Sequence, residues 1–181
     1  MGRLWLSALG ADRPGIVAAV SGVLVDLGCN LEDSTMTILH DHFAVLLVVS
    51  APDDVTAAAL ESALGAVAQR FELVVAVRPL TDTGSRGEDR TAVEPWTVAV
   101  HGADRPGIVR DVTTALADAG GNVVDLSTHL VGGAGAPVYV MTLRVTLPGG
   151  PPGQDAAGRI REAAAALDVH CSVHRDEVDL L

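Results

Sequence analysis

The stretch Gly10–Val17, GADRPGIV, recurs letter for letter at Gly102–Val109. Working outward from it, the match runs on without a gap to Asn30 and Asn122, each residue lying 92 positions after its counterpart. Thirteen of the 21 paired positions are identical. Beyond the octapeptide they are Val20/Val112, Leu24/Leu116, Asp26/Asp118, Gly28/Gly120 and Asn30/Asn122. A gapless self-match of this density marks an internal duplication. Later the offset widens, since Pro52 and Pro148 close equivalent strands at a spacing of 96. The four extra residues fit inside VGGAGAP, Val131–Pro137, a longer hairpin turn than His40-Asp41-His42.

Each copy reads as the same succession of elements. Arg3–Leu9 alternates apolar and polar residues as a strand does, and Trp96–His101 is its partner. After the repeated turn comes a helix. Val17, Val20, Leu24 and Leu27 share one face of it in the first copy, and Ile108, Val112, Leu116 and Ala119 in the second. Gly28 and Gly120 stand where a left-handed residue closes a helix. Asn30–Leu39 and Phe43–Ala51 follow as a hairpin, matched by Asn122–Val131 and Val138–Leu147. A second helix is expected over Asp53–Arg70, with Val55, Ala59, Ala63 and Val67 inward and Asp53-Asp54 as cap and first-turn acid; its partner spans Gln154–Leu167. Last strands, Glu72–Arg78 and Val169–Arg175, complete the units.

The order β-α-β-β-α-β is the ferredoxin-like arrangement, so the fold class is α+β: two units, each with both helices on one face of its sheet. The domains are read as 1–79 and 96–176, joined by a linker at 80–95 that contains TDTGSRGEDRTAVEP. Val48, Val75 and Val140 make strands apolar enough to be covered on both sides, so an open face or edge is expected to meet another copy.

Composition narrows the function. The 181 residues are 49% hydrophobic and 19% charged, enough apolar material for packed cores. The longest apolar run, Phe43–Ala51, has strand length, far short of the ~20 residues a membrane helix needs. The first residues run straight into the repeated turn and are too short for a signal peptide, so a cytoplasmic protein is expected. The net charge is −11, with no basic stripe; contact with nucleic acid or an anionic membrane is not expected. All 12 basic residues are Arg, which excludes a phosphate-loop or Schiff-base lysine. Cys29 and Cys171 lack metal or redox spacing and are read as reduced thiols. His40 and His42, flanking Asp41, are read as solvated turn residues rather than metal ligands. No metal or cofactor is expected.

The repeated turn is the candidate site. Pro14 fits the first helical position, N1, and Gly15 the next. Gly is a poor helix former, so its use there is the missing side chain, which lets a ligand approach the free N–H groups of the first turn. Those groups and the helix dipole favour a carboxylate or phosphate. Asp12 precedes them and can serve an N–H or a ligand ammonium, while Asn30 offers both a donor and an acceptor. The same residues also have purely structural uses: Asp12 as a helix cap, Arg13 as a solvated side chain, Asn30 as a turn former.

The strings ADRPGIVAAVSGVLVDLGCNLEDSTMT and GADRPGIVRDVTTALADAGGNVVDLSTH each resemble the opening of an ACT domain, a regulatory module that binds small molecules. Two such units in tandem resemble the glycine cleavage system transcriptional repressor group, and the first also resembles the N-terminal segment of formyltetrahydrofolate deformylases. The resemblance implies antiparallel four-stranded sheets, side-by-side pairing of ACT units and amino acids bound at their interface; the outward edges of the units are expected to make a homodimer. The ligand contacts it marks are Asp12 and Asn30, and Asp104 and Asn122; with the turn residues between them, the candidate ligand-binding residues are Asp12, Arg13, Pro14, Gly15, Ile16 and Asn30, and Asp104, Arg105, Pro106, Gly107, Ile108 and Asn122. Some amino-acid-binding members carry Asn in the turn where this chain has Asp, and His where it has Gly10 and Gly102.

Three function classes follow. One is a non-enzymatic regulator that binds a small amino acid and signals to a protein partner, an enzyme or a transcription factor. The second is an interaction module or transcriptional co-regulator with vestigial ligand sites. The third, an enzyme, has the least support: Ser7, Ser21 and Ser34 lie in no nucleophile context, and Cys29 has no His nearby in sequence.

Overall fold

The computed structural model describes residues 2–81, 93–132 and 137–176. They form two compact units, each with its own core. In chain order the first holds β1 (Gly2–Ala11), α1 (Ile16–Asp26), β2 (Asn30–Leu39), β3 (His42–Ala51), α2 (Ala57–Ala63), α3 (Gly65–Phe71) and β4 (Val74–Pro79). The second holds β5 (Val93–Ala103), α4 (Ile108–Asp118), β6 (Asn122–Val131), β7 (Val138–Pro148), α5 (Pro151–Ala166) and β8 (His170–Arg175).

Both sheets are antiparallel, in the orders β2-β3-β1-β4 and β6-β7-β5-β8. Alternation along the central strands makes one face of each sheet apolar. Leu4, Leu6 and Ala8 on β1 and Phe43, Val45, Leu47 and Val49 on β3 are buried with Ile16, Val20 and Leu24 of α1. Trp96, Val98 and Val100 with Met141, Leu143, Val145 and Leu147 repeat the pattern against Ile108, Val112 and Leu116. The two ββ hairpins even share an irregularity, a register shift between Leu31 and Asp33 in β2 and between Val123 and Asp125 in β6. Val75 lies on the helix side of its sheet, beside Ala8.

The first helix of each unit closes as the sequence predicts. The Gly28 N–H bonds the Val25 carbonyl (2.9 Å) and the Cys29 N–H the Leu24 carbonyl (2.8 Å); Gly120 and Gly121 do the same with Ala117 and Leu116.

Four expectations need correction. Helices α1 and α4 begin at Ile16 and Ile108, so Pro14 and Pro106 lie in the turn before them and not at N1. The buried row on α1 is Ile16, Val20 and Leu24; Val17 is 52% exposed, because one step at a helix start rotates the face by about 100°. The helix expected over Asp53–Arg70 is two short ones. Thr56, not Asp53 or Asp54, caps the first by accepting the Ala59 N–H (3.1 Å), and the inward residues are Leu60, Leu64 and Phe71 while Ala59 and Ala63 are exposed. Helix α5 starts at Pro151, three residues ahead of Gln154, since proline suits a first turn.

Strand β5 starts at Val93, ahead of the expected Trp96, and the Leu80 N–H still bonds the Arg3 carbonyl (2.8 Å). Residues 82–92 of the expected linker and residues 133–136 of the long hairpin turn lie outside the described residues. Among the described residues no helix is long and apolar enough to cross a membrane.

The edges of each sheet are treated differently. On β4 the Val77 N–H bonds the Glu61 carboxylate (3.0 Å), and on β8 the Val173 carbonyl accepts from Arg161 (3.0 Å). Side chains from the helix layer thus occupy those edges, a common protection against further pairing. Strand β2, the opposite edge, is exposed at all ten residues, Leu31, Met36 and Ile38 included.

Candidate functional site

The repeated turn gives the same backbone twice. Gly15 is the N-cap of α1 with φ 95° and ψ −4°, and Gly107 is the N-cap of α4 with φ 101° and ψ −11°. That is left-handed space, which a residue with a Cβ enters at a cost of about 1–2 kcal/mol. Glycine is therefore required by conformation; a Cβ on Gly15 would meet nothing nearer than Phe71 Cζ, 3.9 Å away.

No side chain caps either helix. Asp12 is exposed, and its backbone N–H bonds the Asp41 carbonyl (2.8 Å). The capping role open to Asp12 in the sequence is thus not the one it plays. Among the described residues the Val17 and Ala18 N–H groups have no backbone carbonyl, while Ile16 N reaches Arg13 O at 3.4 Å. A helix start left in this state favours an anion through its free donors and dipole.

The start of α1 opens on a crevice between α1 and the overhanging β2. One cavity is lined by Asp12–Ala18 with Met36 and Phe43. A second, of about 350 Å³, continues along α1 past Val17, Val20, Ser21 and Val25 to Asn30 and Leu31, and also touches Met36 and Phe43. Asp12 and Asn30 thus stand at opposite ends of one mostly apolar crevice, along the length of α1, rather than around one small hole.

Arg13 lines the first cavity and also reaches the second helix layer. Its guanidinium meets the Glu72 carboxylate at 2.8 Å, at the left-handed residue that ends α3 (φ 57°). In the second unit Arg105 meets Asp168, also left-handed (φ 55°), at 3.2 Å and bonds the Leu167 carbonyl at 3.2 Å. The arginine of the turn thus ties the site to the end of the second helix layer. All four side chains are well exposed, so each pair adds little to stability.

The glycines before the turn also have a reason. A Cβ on Gly10 would come within 2.8 Å of Leu73 Cδ2 and 2.9 Å of the Glu72 carbonyl, and one on Gly102 within 2.8 Å of Val169 Cγ1. The space a histidine would need there is filled by Leu73 and Val169.

The start of α4 is built differently. Asp104, Arg105, Gly107 and Ile108 line a cavity with Val109, Arg110 and Tyr139; Asn122 is not part of it. Arg110 Nη2 lies 3.4 Å from the position of a Cβ on Gly107, so its guanidinium covers the bare turn. Asp111 holds it there, with Nε to Oδ1 at 2.6 Å. The contact holds the Asp111 carboxyl below its ordinary range and the Arg110 guanidinium above its own. Tyr139, in the place of Phe43, is half-buried. Burial first, and the nearby Asp104 carboxylate second, push its phenol above the usual 10.

Sequence reasoning missed Met36, Phe43, Tyr139 and Arg110. The first three sit on strands far from the turn in sequence, and only sheet register brings them to it. Arg110 was within reach, being the first residue after the repeated octapeptide at which the copies differ. Burial raises both thiols, Cys29 and Cys171, which are unpaired.

The comparisons agree with this geometry. One ACT-domain model matches residues 3–78 and another matches residues 96–151. The chain is similar to the glycine cleavage system transcriptional repressor of Escherichia coli (strain K12), at 32% identity over 116 residues, 64% of this chain and 58% of that protein. It is also similar to a UPF0237 protein of Methanopyrus kandleri, at 47% identity over 49 residues, 27% of this chain and 54% of that one. The chain spans a little over half the length of these curated relatives. Among solved structures, an unknown protein from Galdieria sulphuraria superposes with a TM-score of 0.81 at 26% identity, covering 97% of this chain and 99% of that one. With both halves matched by the same domain and both folded as βαββαβ, the chain belongs to the ACT-domain family as a tandem pair, homologous to the glycine cleavage repressor.

Proposed function

We propose that the chain is a non-enzymatic regulatory protein that binds a small amino acid at the start of α1 and signals its presence to a protein partner in amino-acid metabolism or its transcriptional control. The observation that carries this reading is the uncapped start of α1, opening on the α1–β2 crevice. In this reading the ligand carboxylate is taken by the Val17 and Ala18 N–H groups, and the Asp12 carboxylate faces its ammonium. The apolar wall of Val17, Met36 and Phe43 selects a short or aliphatic side chain, and Asn30 borders the far end of the crevice.

The exposed edge of β2 supports pairing with a second copy in a homodimer, which would close the crevice and couple ligand to assembly. With a charge of −11, gene control would pass through a protein and not through direct contact with an operator.

Calorimetric titration with the proteinogenic amino acids tests the reading. Saturable heat for at least one of them, lost in Asp12→Ala, is the expected result; no heat at millimolar concentration for any of them overturns it.

One observation favours a second reading for the second unit. With Arg110 lying over Gly107, that unit is a protein-interaction module whose ligand site is vestigial. A pull-down in which a partner is retained through the second unit, unaffected by amino acids, distinguishes the two.

A further inference from the structure

The face of the second sheet that no helix covers carries four of the six histidines of the chain. His129 on β6, His101 on β5 and His170 on β8 fall on one row, through the pairs His129–Val140, Val140–His101 and His101–His170. His174 lies further along β8, opposite Thr97. The matched positions of the first sheet hold Thr37, Leu9, Val74 and Arg78, so the duplication did not supply these histidines.

Two of them touch. The His101 and His170 rings stack with centroids 5.1 Å apart and planes 14° apart, on adjacent antiparallel strands in direct register. Both residues are exposed, so no packing prevents the rings from tilting toward each other. A neutral imidazole has one nitrogen lone pair, and imidazole suits zinc, copper and nickel, with metal–nitrogen distances near 2.0–2.1 Å for zinc. Paired strands hold the two Cα positions, so a small side-chain rotation brings both nitrogens to one ion without backbone movement.

The other histidines are less suited. The His42 Nδ1 is 2.9 Å from the His40 carbonyl, which turns that ring to its own backbone. The His129 Nε2 is engaged by the Ser127 hydroxyl at 2.9 Å, and Val140 separates it from His101.

We propose that His101 and His170 form a bidentate site for a divalent transition metal of the imidazole-accepting class, with water completing its coordination. Among the described residues no group of three or more His, Cys, Asp or Glu side chains has metal-holding geometry, so the site is an exchangeable two-ligand one and not a structural centre. Magnesium and calcium, which want oxygen ligands, do not fit it.

Titrating the full chain with zinc chloride tests this. In the wild type the His101 and His170 imidazole proton signals should shift together and saturably, ahead of His40, His42 and His129. By calorimetry, His101→Leu and His170→Val, which install the residues of the sister unit, should each weaken zinc binding by at least 10–100-fold, roughly the cost of losing merely a hydrogen-bond partner of a ligating histidine. His129→Ala should leave it unchanged. Zinc binding that survives both substitutions, or the absence of a joint shift of the two signals at millimolar zinc, overturns the assignment.

Discussion

At the start of α1 a Cβ on Gly15 would find only Phe71 Cζ, at 3.9 Å; at the start of α4 one on Gly107 would find the Arg110 guanidinium at 3.4 Å and the Asp111 carboxylate at 3.7 Å. The octapeptide is the same in both places and so is its backbone, with φ 95° against 101°. What differs is the next two residues, Ala18-Ala19 in one unit and Arg110-Asp111 in the other. The uncovered sheet faces diverge in the same way: Leu9, Leu46 and Val74 in the first unit become His101, Thr142 and His170 in the second. A duplicated turn preserves a conformation. The chemistry above it is set by residues the duplication left free to change.

The second helix layers offer the strongest contrast to break. In the first unit Leu60, Leu64 and Phe71 fill the space over the sheet, whereas the buried residues of α5 are mostly small, Ala156, Ala157 and Ala164 beside Ile160. Leu60→Ala should cost about 2–5 kcal/mol in urea unfolding through the cavity it leaves. The mirror change, Ala157→Leu, should cost about 1–3 kcal/mol through overpacking. A neutral Ala157→Leu would show that α5 is held less closely than its alanines imply.

Next in size, Gly15→Ala and Gly107→Ala should each lower stability by about 1–2 kcal/mol, because both positions are left-handed. The losses should be equal within error. Unequal losses would break the claim that the two turns share one conformation.

Arg110→Ala sharpens the difference in function. It should leave stability within about 0.5 kcal/mol, being a surface change. It should raise the stoichiometry of amino-acid binding in calorimetry from one per chain to two, and Ala18→Arg should abolish the site in the first unit. If both variants bind as the wild type does, Arg110 is not what separates the units.

The smallest effect is spectroscopic. Tyr139 is the one tyrosine of the chain, and Phe43 holds its place in the first unit. Its absorbance titration should have a midpoint above the ordinary value of about 10, and Asp104→Asn should move that midpoint down. Because the folded chain holds this proton more tightly than the unfolded one, stability should fall as pH rises through that range and be unaffected by this group at neutral pH. A midpoint that Asp104→Asn leaves in place would remove Asp104 from the surroundings of Tyr139.

Much of the fold was legible because its signals are local. The alternation in Arg3–Leu9, the i, i+4, i+8 spacing of Ile108, Val112 and Leu116, and the glycines at 28 and 120 each act within a few residues. The site was half legible. Gly15 and Gly107 stood out as costly unless needed, yet the need proved to be a positive φ at the cap and not a second helical position. The inward face of α2 escaped because Ala59 and Ala63 match the helical period as well as Leu60 and Leu64 do, and only packing on the sheet chose the larger pair.

By itself the sequence determined the duplication, the element order and the two bare helix beginnings, since each follows from spacing and from what glycine and proline permit in the backbone. Only the tertiary structure decided that Arg13 and Arg105 clasp the far helix layer, that Met36 and Phe43 wall the first crevice, and that His101 and His170 stack. The ion pairs and the ring stack join residues 59 to 69 positions apart, and Met36 and Phe43 reach the turn through sheet register, which is fixed by the packing of a whole sheet face rather than by any short run of residues.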